Sequence, residues 1–108
     1  LVISKGWVAA TIYALLESKG LLTKKDLDSY CVPGSKFIGL VEPIGGFGLE
    51  FAGGSMGYGF SAGVGYALAG KQVQVLMSDG EQAIGTTHES ALIAAHHPSH
   101  LMPVSCVS

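Results

Sequence analysis

The feature that most limits what this chain can fold into is a glycine-rich run that enters a helix without bulk. Gly53-Gly54-Ser55-Met56-Gly57-Tyr58-Gly59 leads into a predicted helix over 60–69 that carries Ala62, Gly63, Gly65 and Ala69. Each interior glycine costs a helix roughly 1 kcal/mol relative to alanine. Such a helix is justified by close approach to a sheet, another helix or a ligand. Gly70 stops it. Val73, Val75, Leu76 and Met77 then read as a buried strand over 73–77. The strand ends in the polar turn Ser78-Asp79-Gly80-Glu81, and a second helix follows over 86–97, stopped by Pro98. Helix, strand, turn and helix in this order predict an α/β fold, a parallel sheet flanked by helices. In open sheets of that kind ligands bind beyond the carboxyl ends of the strands.

The rest of the chain fits around this unit. Residues 5–19 read as a helix with Ile12, Leu15, Leu16 and Ala9, Ala10 and Ala14 on an apolar face, capped by Ser4 and stopped at Lys19-Gly20. Thr23-Lys24-Lys25-Asp26 resembles a capping box that opens a short helix to about residue 30. Residues 36–56 are irregular apart from a short strand at 37–38, and a loop of that length reads as a binding loop. A final strand is expected over 101–107, with Pro103 placing it at an edge or a distorted start.

Composition narrows the function classes. The 108 residues suit one modest domain, and 48% are hydrophobic against 13% charged. So few charges for the surface of a small domain imply that a partner subunit or further chain covers part of it. The start at Leu1 and the apolar end read as parts of a longer chain, so the domain over 1–108 is expected to be incomplete. The net charge of −2, without a basic stripe, speaks against nucleic-acid binding. No apolar run approaches a membrane span and no signal peptide is evident, so a cytoplasmic protein is expected. Cys31 and Cys106 lack metal-type spacing and read as free thiols.

Four motifs carry chemistry. Gly57-x-Gly59-x-x-Ala62 with Asp79 after the next strand matches a dinucleotide fingerprint, but that fingerprint needs a strand directly before its first glycine. Alternatively, Asp79 at a strand end can hold Mg²⁺, with a glycine-rich turn beside it for a diphosphate. The bland reading of Asp79-Gly80 is a surface turn. His96-His97-x-x-His100 offers metal ligands, though histidines at a helix carboxyl end more simply complement its dipole. Thr86-x-x-Glu89 is a capping box by pattern.

The ordered set Ser4-Lys5-Gly6, Gly39-Leu40-Val41-Glu42-Pro43, residues 49–59, Ser78-Asp79-Gly80-Glu81, Glu89-Ser90-Ala91 and Ala94-Ala95-His96-His97 resembles the N-terminal region of transketolases, and most nearly their split N-terminal subunits. The likeness covers nearly the whole chain and outweighs the dinucleotide pattern. It implies a thiamine-diphosphate-binding fold of αβα layers, with diphosphate and Mg²⁺ at the sheet's carboxyl edge. By that resemblance Asp79 is a Mg²⁺ ligand and Gly80 a backbone contact to the diphosphate. Gly54, Met56 and Gly57 fall on the loop that meets the cofactor. Glu89 matches a catalytic-site glutamate that couples the two active sites of a dimer.

The implied activity is ketol transfer between sugar phosphates. The glutamate that activates the cofactor comes, in the family, from another domain on the partner. A C-terminal transketolase-like domain or subunit, in a homo- or hetero-oligomer, is therefore expected. The chain also departs from the family. Trp7 and Leu40 stand where two active-site histidines are expected, and Ile84 where a glutamate is expected shortly after the motif aspartate. The asparagine completing the metal site would lie past Ser108. These departures keep a second reading open, a non-catalytic assembly module of the same fold.

Overall fold

The computed structural model describes residues 1–44, 49, 51, 53–97 and 104–106. Three short parallel strands form its sheet: β1 (Val2–Ile3), β2 (Val75–Met77) and β3 (Val104–Cys106), in the order β1-β2-β3. The register sets Val2 opposite Val75 and Ile3 opposite Leu76, while β3 runs beside β2 from Val75↔Val104 to Met77↔Cys106. The β2 strand falls inside the expected 73–77 run and β3 inside 101–107. The sequence reading does not assign β1, which is two residues long.

Among the described residues, four α-helices accompany the sheet: α1 (Ala9–Ser18), α2 (Lys24–Asp28), α3 (Tyr58–Leu68) and α4 (Gly85–His96). Short 3-10 turns, Gly6–Val8 and Gly80–Ala83, precede α1 and α4. Alternation along the strands sorts side chains to two faces. Ile3 and the half-buried Leu76 join one core with Ala9, Ile12, Tyr13 and Leu16 of α1. Val2, Val75 and Met77 join a second core with Phe60, Val64 and Ala67 of α3. The sheet is thus flanked by helices on both faces, which is the expected α/β layering, and α4 packs on α3.

The small residues of α3 do what their lack of bulk implies, at one point above all. A Cβ on Gly59 would overlap the Ser4 side chain, so the helix presses its backbone against the carboxyl end of β1. A second close approach lies nearby. A Cβ on Gly6 would come within 2.9 Å of Gly53 and Gly54 backbone, which brings the glycine-rich loop against the same strand end.

The region before that loop is anchored by aromatic packing. Tyr13 meets Phe37 edge-on at 5.3 Å and Tyr30 at 6.0 Å, and its hydroxyl donates to the Leu40 carbonyl at 3.1 Å. No strand forms at 37–38; Phe37 is buried in the α1 core instead, held by side-chain packing rather than a ladder. Ser4 does not cap α1: the helix begins later, after the 3-10 turn, and the Ser4 hydroxyl is engaged elsewhere. The capping box at Thr23 and Asp26 is formed as expected. No helix among the described residues is long and apolar enough to cross a membrane.

Candidate functional site

The carboxyl ends of β1 and β2 and the amino end of α3 meet around one side chain, Glu81. It is 1% exposed, and its two oxygens collect four donors. One oxygen accepts from the Ser4 hydroxyl at the end of β1 and from the Gly57 amide at 3.1 Å. The other accepts from the Ser78 amide at 2.8 Å and the Ser78 hydroxyl at 3.1 Å. Burial pushes the Glu81 carboxyl up, but the bonds from Ser4, Ser78 and Gly57 outweigh it and hold the group below the ordinary glutamate range. The Gly57 and Ser78 amides can only donate, and an ionised carboxylate gives each of them an acceptor oxygen with room for the serine hydroxyls.

Local sequence explains why the chain folds this way here. Gly57 sits at φ 88°, a left-handed conformation suited to glycine, and it is the N-cap of α3. That turn aims its amide inward at Glu81. Helix N-termini favour negative charge, so the carboxylate also complements the first turn of α3. The Thr87 hydroxyl donates to the Glu81 carbonyl at 2.7 Å and fastens α4 to the same turn. Beyond it, Ser61 bonds to the Gly57 carbonyl at 3.2 Å and to the Ser90 hydroxyl at 2.7 Å, which extends a polar seam between α3 and α4.

The sequence-predicted residues distribute around this clamp. Asp79 and Gly80 stand exposed just beyond β2, and a Cβ on Gly80 would meet nothing within 4 Å. Gly57 lies buried at the clamp, with Ile84 Cγ2 3.3 Å from where its Cβ would be. Gly54 faces Leu40 Cδ1 at 3.7 Å, so the loop glycine and one departure from the expected histidines are neighbours. Met56 is half-exposed. Glu89 is exposed on α4. Its expected capping box does not form: α4 starts at Gly85 with Ile84 as its N-cap and no side-chain cap, so Thr86 already lies inside the helix.

The donor set can hold a cation only in part. Mg²⁺ takes one or two carboxylates together with phosphate oxygens and water, and Asp79 offers one exposed carboxylate beside an open glycine. No group of three His, Cys, Asp or Glu among the described residues could enclose a metal by itself. His96 and His97 stack edge-on at 5.3 Å in the last turn of α4, while His100 lies outside the described residues. Cys31 is a free, exposed thiol. The dinucleotide alternative loses its structural condition. β2 is flanked by β1 and β3, and the described residues at 51 and 53–56 form no strand.

Sequence reasoning overlooks Glu81. It stands in the polar turn Ser78-Asp79-Gly80-Glu81 and reads as part of that turn. Nothing in its spacing announces burial, since its partners Ser4 and Gly57 are remote in the chain. The one local signal is the serine before Asp79, whose amide and hydroxyl both serve this carboxylate.

No family model matches the chain. Individual proteins do. It is 37% identical over 100 residues to an apulose-4-phosphate transketolase subunit of Phocaeicola vulgatus, covering 84% of this chain and 34% of that protein. It is 36% identical over 112 residues to a transketolase of Staphylococcus aureus, covering 89% of this chain and 17% of that protein. It is 34% identical over 100 residues to the 6-deoxy-6-sulfo-D-fructose transketolase subunit SqwG of a Clostridium species, with 87% and 36% covered. The chain therefore spans about a third of the two subunits and a smaller part of the transketolase. Similarity that runs through nearly all of the sequence, on an α/β fold with the motif turn at a strand's carboxyl end, marks the chain as transketolase-like.

Proposed function

We propose that this chain is the cofactor-binding half of a transketolase-like enzyme, which binds thiamine diphosphate and Mg²⁺ and serves ketol transfer between sugar phosphates together with a second domain or subunit. The observation that carries the reading is the placement of Asp79-Gly80. The pair stands exposed at the carboxyl end of β2, with open space at Gly80, beside a glycine-rich loop held to the same edge. Two of the similar proteins are named as transketolase subunits, which supports a divided enzyme.

In this reading Asp79 gives one carboxylate oxygen to Mg²⁺, and the Gly80 backbone faces the diphosphate. Gly54, Met56 and Gly57 line the approach to the cofactor rings. Glu89, exposed and free of a capping role, faces the partner. When bound, the cofactor supplies the carbanion chemistry that carries a two-carbon unit. The chain's own residues bind and orient. Trp7, Leu40 and Ile84 favour one restriction: proton transfer and sugar-phosphate recognition fall to the second half, because none of the three can exchange a proton at neutral pH.

The test is calorimetric titration of thiamine diphosphate with Mg²⁺ into the assembled protein and its second subunit. Saturable, Mg²⁺-dependent binding is expected, weakened about tenfold or more by Asp79→Ala, which corresponds to about 1.4 kcal/mol. Asp28→Ala, on α2, should leave affinity unchanged. Absence of binding by the assembly, or indifference to Asp79→Ala, refutes the assignment. A non-catalytic assembly module would form the same complex and bind no cofactor.

A further inference from the structure

We propose that Glu81 is the positioning residue of this site: its buried carboxylate ties the Asp79-Gly80 turn to the glycine-rich loop, so that both candidate cofactor-contacting segments are set by one side chain. The inference rests on the reading of Asp79 and Gly80 given above and assigns a task to a residue that reading does not use.

Three observations converge. First, the clamp joins elements that the sheet alone does not join. β1 and β2 pair through their strands, but among the described residues no backbone–backbone hydrogen bond links 53–57 with 78–81. Glu81 supplies that link through Gly57 on one side and Ser78 on the other. Second, all four partners are neutral donors, two of them amides fixed by the backbone. A carboxylate satisfies the set, whereas an amide side chain would turn an NH₂ group toward one pair of donors. Third, the tether is stiff. Glu81 is buried, its own carbonyl accepts from Thr87, and the Ser4 side chain beneath it is pressed by Gly59. Asp79 and Gly80 lie on the short turn between two groups held this way, Ser78 and Glu81. Ser78 turns its hydroxyl inward to the clamp rather than outward to a ligand.

A purely structural Glu81 would affect cofactor affinity only as far as it affects folding. The experiment separates the two. Glu81→Gln and the milder Ser78→Ala are compared with Ile12→Val, a core substitution remote from the clamp, each in the assembled protein. Thermal melting, affinity for Mg²⁺–thiamine diphosphate and amide exchange of the segments carrying Gly57 and Ser78 are recorded for each. Affinity is expected to fall at least tenfold in Glu81→Gln and less in Ser78→Ala. Ile12→Val should leave it within twofold, even at equal thermal loss. Exchange should quicken in both clamp segments of Glu81→Gln and in neither segment of Ile12→Val.

Affinity that simply tracks melting temperature across the three variants overturns the proposal. So does exchange in Glu81→Gln that stays at the wild-type rate in either segment. If the wild-type assembly binds no cofactor, the function proposed above has failed. The tether then stands if exchange quickens in both segments together and falls if it does not.

Discussion

At the scale of single residues, the glycines of α3 divide by what surrounds them. A Cβ at Gly59 would overlap the Ser4 side chain and lie 2.6 Å from its backbone. Neither can retreat: Ser4 is buried and its hydroxyl is held by Glu81. Gly59→Ala should therefore destabilise the protein by about 1–3 kcal/mol, as overpacked cores do. Gly65, on the same helix, has nothing within 4 Å of its Cβ position and is exposed. There an added methyl only reduces the freedom of the unfolded chain, so Gly65→Ala should stabilise by about 0.4–1 kcal/mol. Thermal melts of the two variants should shift in opposite directions, and shifts of the same sign would contradict this account of α3. The sequence shows that the helix must approach something closely. It does not show which glycine makes the contact, because Ser4 is distant in the chain.

At the scale of elements, local signals read well and long-range ones poorly. The box at the start of α2 is legible because all its atoms lie within four residues. The Thr23 amide and hydroxyl donate to Asp26 at 2.8 and 2.6 Å, and the Asp26 amide returns a bond to Thr23 at 3.2 Å. The same pattern at Thr86 and Glu89 fails, since the helix takes Ile84 as its N-cap and Thr86 already lies inside it. β1 escapes a sequence reading because two residues carry no periodicity; its place comes from pairing with a strand encoded far away. Glu81 escapes for the same physical reason: burial of a charge depends on donors that only the tertiary fold collects.

The α2 box also carries a pH dependence. The Thr23 side chain first, and its backbone amide second, hold the Asp26 carboxyl below its ordinary value. A depressed folded-state pKa means that the contribution is complete above the unfolded value and is lost as pH falls through the folded one. The start of α2 should therefore fray in acid below about pH 4. Amide exchange at Thr23 is expected to accelerate there in the wild type, and Asp26→Asn should show the accelerated rate already at neutral pH. A rate in Asp26→Asn equal to that of the wild type at neutral pH would remove the box as the cause.

At the scale of the whole molecule, apolar surface stands open on the elements that carry the site. Trp7 is 82% exposed on the 3-10 turn that follows β1, and Leu92 is 73% exposed on α4. Trp7 is the chain's one tryptophan, so its fluorescence reports one place. It lies close in sequence to Ser4, the clamp residue at the end of β1. A partner that completes the proposed enzyme at the carboxyl edge of the sheet would cover this ring, because large aromatic side chains gain most from being buried at an interface. Before the partner is added, emission should be that of a solvated indole, readily quenched by acrylamide. Addition of the second subunit should move emission to shorter wavelength and reduce quenching. A partner that binds while leaving Trp7 fully quenchable would place the interface on another face.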